Sequence, residues 1–344
     1  MRGLEAEVSQ KPWVLRGNRL RWFLRLGTLG LGLALLWIAV RGVDPADVLR
    51  ALAGADRVWL ALTVALVMSG LLLKTIRWAV LLRPVAPDLG FAHIMGILLT
   101  GQAGNALLPA RSGDALRVVL ASSKDRGRLA AVAAGIGIEK ALDGIMLLVA
   151  VALVLPTLPA GVAVADRWRS LLAISLGSLA AALLALALSP RMWELARPLA
   201  ARLPRAAGKW VVDLGDRFVS GMQALRTGGR FTWVFILSVL TWLVMALTNL
   251  ALAAALHLPS DWSLGLVVLV MAFVAVVPGL MPGQVGPFYY FVRLGLSAFG
   301  IGAALSAAYA ILLHLMVMLP PIAGAGLYLI LQHGFRPLGI RGKE

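Results

Sequence analysis

A chain of 344 residues that is 60% hydrophobic, only 14% charged and of mean hydropathy +0.88 cannot cover an ordinary water-facing surface, which needs about a quarter of its residues charged. It reads as an all-α integral membrane protein whose apolar segments and short loops use up nearly the whole length, leaving no room for a separate soluble catalytic domain. The formal charge of +16 gathers at the ends of apolar segments, which fits anionic lipid headgroups and argues against nucleic acid, and zero cysteines exclude disulfides, thiol chemistry and Cys-ligated metals.

Residues 1–25 carry Arg2, Lys11, Arg16, Arg19, Arg21 and Arg25 ahead of an apolar run over 26–40. A signal peptide has this shape, but no small-residue cleavage site stands out, and the run is long enough for a tilted first span. Span two covers 57–82 and closes on Lys74, Arg77, Trp78 and Arg83, whose long basic stems and indole suit the membrane interface. After turns at Pro84 and Pro87, the apolar stretch to residue 108 enters the bilayer, and the return arm is too polar to face lipid. Residues 91–123 are therefore predicted to form a re-entrant hairpin that starts and ends on one side.

Span three is 129–155 and span four 168–188. Between 190 and 230, Val211, Leu214, Phe218, Met222 and Leu225 recur at helical spacing opposite Lys209, Asp213, Asp216 and Arg217, the pattern of a helix on the cytoplasmic membrane surface. Span five is 231–256, a second hairpin is 264–300 and span six is 303–331. With the N-terminus inside, only Arg41, Arg50, Arg57, Arg167, Arg169 and Arg293 of the 32 Lys and Arg lie outside, and Lys140 lies within the membrane. That asymmetry predicts a multi-pass protein of the cytoplasmic membrane with both termini inside.

The same topology orients 57–155 and 231–331 oppositely, so the single membrane domain reads as an inverted repeat of three elements, six spans and two hairpins in all. Each hairpin is broken by a Pro-x-x-x-Gly skeleton: Pro109 with Gly113, and Pro282 with Gly286, the second island also holding Pro278, Gly283 and Pro287. Broken segments in matching places of an inverted repeat are a mark of alternating-access carriers.

Glu139, Lys140 and Asp143 lie ten or so residues into span three, roughly 15 Å deep at 1.5 Å per residue. Glu139 and Asp143 share a helix face, and Lys140 can pair with Asp143. Such groups are costly in hydrocarbon unless buried and compensated, so they form either a structural ion-pair cluster or a substrate or proton site. Beside them we place Asn105, Arg111, Asp114 and Arg117 of the first hairpin. Its return helix starts with unpaired N–H groups that, with Arg111 or Arg117, would hold a phosphate, or else Arg117 simply reaches the interface. Gln284 is the polar side chain of the second tip. His314 and Asn249, in spans six and five, are each either packing groups or ligand contacts. No nucleotide loop, metal-ligand spacing or nucleophile–base pair is present, so neither a cofactor nor a catalytic group is expected.

Arg77-Trp78, then Asn105-x-x-x-Pro-x-Arg-x-Gly-Asp-x-x-Arg117, Glu139-Lys-x-x-Asp143 and Pro282-Gly-x-x-Gly286 together resemble the flippase-like membrane domain of lysylphosphatidylglycerol synthases and its stand-alone relatives, over about residues 20–332. The resemblance implies movement of a lipid headgroup across the bilayer, of aminoacylated phosphatidylglycerol in the fused enzymes and of other phospholipids or polyprenyl-phosphate-linked sugars in stand-alone members. It does not imply lipid synthesis, because the aminoacyl-transferase domain is missing. Asp114 stands where that family usually has Glu, Lys140 where it has Arg, and Tyr289 where an acid is expected. The last departure puts the substrate or the coupling in question.

Three readings follow: a carrier of anionic lipid headgroups, a non-transporting scaffold that recruits a lipid-modifying enzyme through the basic 190–230 surface, and a membrane enzyme using Glu139 or His314 as base on a lipid phosphate. The lipid, the direction and energy source of transport and the oligomeric state stay open.

Overall fold

The structure is a computed structural model that describes residues 27, 30–108, 112–123, 125–154, 191–199, 201–202, 208–209, 211–213, 215–216, 219, 229–276 and 282–333. Expectations for residues 1–26, span four, Pro109, Arg111, Pro278 and most of 190–230 fall outside these residues. Among the described residues every regular element is a helix. They are α1 (Gly30–Val40), α2 (Pro45–Ala53), α3 (Arg57–Leu82), α4 (Phe91–Leu107), α5 (Gly113–Ala121), α6 (Leu129–Val154), α7 (Arg230–Ala255), α8 (Trp262–Val276), α9 (Val285–Ser297) and α10 (Ala303–His333).

Three of these, α3, α7 and α10, are long and apolar enough to cross a bilayer. A 26-residue helix such as α3 rises about 39 Å, more than the roughly 30 Å of hydrocarbon. Helix α6 has the same 26-residue length but carries Glu139, Lys140 and Asp143. Its polarity is accommodated by protein on the charged side. Capping fixes where the chain turns into α3: the Asp56 carboxylate accepts from the N–H groups of Val58 and Trp59 at 2.8 and 3.2 Å. Apolar side chains with large exposure, such as Trp233 at 63% and Leu331 at 75%, lie on the outer faces of the bundle, where lipid replaces water as the solvent. Trp37, Trp59 and Trp262 at one end and Trp233 at the other are exposed in the manner of an aromatic belt.

Helices α3 and α7 pack along their lengths and run antiparallel. The Asp56 N–H donates to the Ala255 carbonyl at 2.8 Å at one end, and Arg77 donates to Ser238 Oγ at 3.0 Å toward the other. If α3, α4, α5 and α6 are exchanged with α7, α8, α9 and α10, the helix contacts map onto one another. Thus α4 on α10 matches α8 on α6, α5 on α6 matches α9 on α10, and α6 on α7 matches α10 on α3. Equivalent helices that run in opposite directions give the inverted-topology repeat.

The two helical hairpins enter from opposite ends. Hairpin one (α4, α5) begins beside the end of α10, where Tyr328 Oη hydrogen-bonds His93 Nδ1 at 2.8 Å and Gly96 leaves room for the Tyr328 ring. Hairpin two (α8, α9) begins just past the end of α7, against the start of α3. Their tips meet, α4 touching the turn Pro282–Gln284. That turn needs left-handed backbone at Gly283 (φ 67°) and Gln284 (φ 52°). Glycine takes it freely, whereas Gln284 is held there by its surroundings.

Each half has its own core: Trp78, Ile97, Leu98, Val132 and Leu142 in the first, and Leu252, Leu264, Val292, Leu296 and Tyr309 in the second. The two are joined by Met146, Trp242, Leu266 and Met271. In the 190–230 region, helical residues 191–199 expose Met192, Leu195 and Leu199, and Trp193 Nε1 donates to Asp216 at 2.7 Å.

Candidate functional site

The sequence forces the site into being. Three ionisable groups on α6 have to find partners inside the bundle, and α3 and hairpin one supply them. Arg77 and Trp78 do not reach the interface as expected from their place near the end of span two: both are fully buried. Arg77 donates to Asp143 at 2.7 and 3.3 Å and lies 3.6 Å from Glu139, so the i, i+4 spacing of the two acids lets one guanidinium serve both.

Arg117, on α5, donates to Glu139 through two parallel bonds of 3.0 and 2.8 Å and lies over the Trp78 ring at 4.3 Å, a cation–π contact inside the bundle. It therefore does not extend to the interface. Lys140 pairs with Asp114 at 3.1 Å rather than with Asp143, tying α6 to the return arm of the hairpin.

Asn105 closes hairpin one from the inside. Its Oδ1 accepts the Asp114 N–H at 3.2 Å and its Nδ2 donates to the Asp114 carboxylate at 3.3 Å. The Asp114 N–H in the first turn of α5 thus has an internal partner and an acid beside it, so this one of the amides expected to hold a phosphate is already engaged. Close approach makes this possible. A Cβ on Gly113 would sit 1.9 Å from the Gly101 carbonyl, and one on Gly101 would sit 2.2 Å from Arg117 Cγ.

Glycine in the second skeleton does a different job. A Cβ on Gly286 would lie 1.9 Å from the carbonyl of Gly32 on α1, so hairpin two is packed against the first helix. Arg293 of α9 donates to the α1 carbonyls of Ile38 and Ala39 and to that of Arg41 beyond it.

Between the tips and the central helices lies a cavity of about 230 Å³. Lys74, Arg77, Gln102, Asn105, Glu139, Lys140 and Asp143 form its polar wall. The opposite wall, largely from the second half, is mostly apolar and holds Met245, Phe273, Phe288, Leu313 and Pro321, with Gln284 and His314 as polar points. Of the sequence-predicted residues, Asn105, Glu139, Lys140, Asp143, Gln284 and His314 line the cavity, whereas Asp114 and Arg117 stand one layer behind as partners of Lys140 and Glu139. Tyr289 stacks on His314 at 5.6 Å and Phe288 meets it edge-on at 4.9 Å. Asn249, which also lines the cavity, ties α7 to its neighbours: its Nδ2 donates to the Gly265 carbonyl at 3.4 Å and its carbonyl accepts from Tyr309 at 2.9 Å.

Sequence reasoning missed Lys74 and Arg77 as members of the site. The signal was present: they are three apart on one helix face, in a span that neighbours three ionisable groups needing partners. It also passed over Pro320 and Pro321 inside α10, of which Pro321 lines the cavity.

A family model described as the lysylphosphatidylglycerol synthase TM region matches residues 23–325. Among curated proteins, a UPF0104 membrane protein of Methanothermobacter thermautotrophicus is 29% identical over 115 residues, which is 33% of this chain and 34% of that protein. Glycosyltransferase AglD of Haloferax volcanii is 26% identical over 137 residues, 40% of this chain and 21% of that protein. The matched stretches thus span about a third and a fifth of these relatives.

Proposed function

The chain belongs to the lysylphosphatidylglycerol synthase transmembrane-region family, and from that membership we propose that it is a carrier that moves an anionic lipid headgroup across the cytoplasmic membrane, with both termini inside. The observation that carries this reading is the shared cavity, reached by two broken hairpins from opposite ends of the bundle and lined by charged groups on one side. A headgroup would sit between the tips while its acyl chains stay in lipid, and rocking of one half against the other would expose the cavity to each leaflet in turn.

Asn105, Lys140, Asp143, Gln284 and His314 face the headgroup in this proposal. Arg117, Asp114 and Glu139 hold hairpin one in place behind them, with Glu139 also on the cavity wall. Arg111 is assigned to the same headgroup from its position in the motif. Anionic phospholipids come first as substrates. The relative named as a glycosyltransferase makes sugar-bearing polyprenyl phosphates the second class to test.

The test is leaflet exchange. Purified protein in vesicles containing a trace of acyl-labelled phosphatidylglycerol should let an impermeant quencher reach the inner-leaflet label faster than in empty vesicles, and Asn105→Ala should slow this. Exchange no faster than in empty vesicles, for both phosphatidylglycerol and a polyprenyl-phosphate sugar, ends the carrier reading.

A further inference from the structure

Four cations of the central cluster, Lys74, Arg77, Arg117 and Lys140, stand with three carboxylates. Arg77 is paired with Asp143, Arg117 with Glu139 and Lys140 with Asp114. Lys74 is the cation left over: among the described residues its side chain has no hydrogen-bond or ion-pair partner, and it lines the cavity. An ammonium in a mostly apolar chamber with its neighbours' carboxylates already committed is a place for an incoming anion.

The opposite wall shows the complementary deficit. Gln284 is 3% exposed and His314 9%, and each keeps a polar atom, Gln284 Oε1 and His314 Nδ1, without a hydrogen bond among the described residues. Both side chains line the same cavity. Gln284 is held there in left-handed backbone by the hairpin tip, and His314 is framed by the rings of Phe288 and Tyr289. Buried groups left unpaired cost free energy that a ligand recovers by bonding to them.

We infer that the cavity binds a phosphate that carries hydroxyl groups, the phosphate on Lys74 and the hydroxyls on Gln284 and His314, so that these three residues set headgroup specificity. This rests on the carrier reading for its biological setting but not for its geometry. A glycerol or sugar phosphate supplies both an anion and donors that can also accept. A choline phosphate supplies the anion and leaves Gln284 and His314 unpaired. The shared chemistry belongs equally to a lipid headgroup and to a soluble polyol phosphate.

The full-length protein in detergent is titrated with phosphatidylglycerol, phosphatidylcholine and soluble glycerol phosphate, with binding read by native mass spectrometry. Phosphatidylglycerol is expected to bind at least about tenfold more tightly than phosphatidylcholine, the order of one unpaired buried group. Lys74→Met should weaken it about tenfold or more and Lys74→Arg should restore it. Gln284→Ala and His314→Phe should erase the preference over phosphatidylcholine. Equal binding of glycerol phosphate would support the site and assign it a soluble ligand.

As a second readout on unmutated protein, acetylation of Lys74 by acetic anhydride, mapped by peptide mass, should be suppressed by phosphatidylglycerol. Lys74→Met binding within about twofold of the unmutated protein, or labelling unaffected by lipid, overturns the assignment. Binding as expected without leaflet exchange would keep the site and remove the carrier. Exchange that survives Lys74→Met would do the reverse.

Discussion

Arg117 reaches from the return arm of hairpin one, across the face of Trp78, to grip both carboxylate oxygens of Glu139 at 3.0 and 2.8 Å. The side chains of the pair are 2% and 7% exposed. A guanidinium and a carboxylate joined by two parallel bonds inside the bundle are poorly placed to release either charge to a headgroup. Their effect is positional: they fix α5 against α6 at the depth where the cavity lies.

Breaking such a pair strands a charge, and replacing it entire does not. Glu139→Ala and Arg117→Ala should each destabilise the protein by about 3–5 kcal/mol, while the double replacement Arg117→Met with Glu139→Leu should come close to the unmutated protein. Thermal unfolding in detergent, followed by light scattering or intrinsic fluorescence, gives the comparison. A double variant as unstable as the worse single one would mean that the two residues do not form a closed unit.

Three glycines of the same half offer a graded steric series. Gly113 is boxed by backbone, the Gly101 carbonyl at 1.9 Å and the Asn105 N at 2.4 Å from an added Cβ, whereas Gly101 would meet the Arg117 stem at 2.2 Å and the Gly113 carbonyl only at 3.0 Å, and Gly137 would meet nothing within 4 Å. Gly113→Ala should therefore lower the melting temperature most. Gly101→Ala should cost about 1–3 kcal/mol as Arg117 shifts, and Gly137→Ala, in the interior of α6, should be neutral or gain up to about 1 kcal/mol. Equal effects at Gly101 and Gly137 would show that Arg117 does not pass where it is placed.

Much of this architecture was readable from hydropathy alone, because a bilayer permits few solutions. Spans 57–82, 129–155, 231–256 and 303–331 match α3, α6, α7 and α10 to within two residues at each end, and Gln284 falls on the N-cap of α9 as the broken island implied. What hydropathy could not supply was pairing. Lys140 was expected opposite Asp143 by helical spacing, yet Asp114 on another element takes it and Arg77 takes Asp143. Lys74 and Arg77 near the end of a span read as interfacial anchors because local sequence does not reveal that a neighbouring helix presents carboxylates at that level. Gly113 and Gly286, matched in the sequence skeleton, also serve different contacts, one inside its own hairpin and the other against α1.

That second contact makes α1 a brace on hairpin two. An added Cβ on Gly286 would meet the Gly32 carbonyl, which as backbone cannot move aside cheaply, and Arg293 supplies donors to the carbonyl end of α1, at Ile38 O 3.2 Å away and at Arg41 O 3.3 Å away. Gly286→Val and Arg293→Met should each speed amide hydrogen exchange over residues 30–40 by about tenfold, a loss of about 1–2 kcal/mol of local protection, while α6 and α7 keep theirs. Uniform loosening of every helix would instead place α1 within the core.

The pair Pro320–Pro321 sets stability against function in α10. Each proline lacks the N–H that a helix interior would donate four residues back, to Met316 and Val317, and each ring crowds that carbonyl, so a pair costs several kcal/mol relative to alanine in an unconstrained helix. Pro321, Val317 and His314 all line the cavity, so the turn of α10 whose hydrogen-bond ladder the prolines leave open lies at its wall. Pro320→Ala with Pro321→Ala should raise the melting temperature, since the ladder can close, and, by stiffening that wall, should slow leaflet exchange of phosphatidylglycerol in vesicles by at least about tenfold. If the variant melts higher and exchanges lipid at the unmutated rate, the open turn is packing and α10 takes no part in opening the cavity. If it melts lower, the surrounding helices are fitted to the two proline rings.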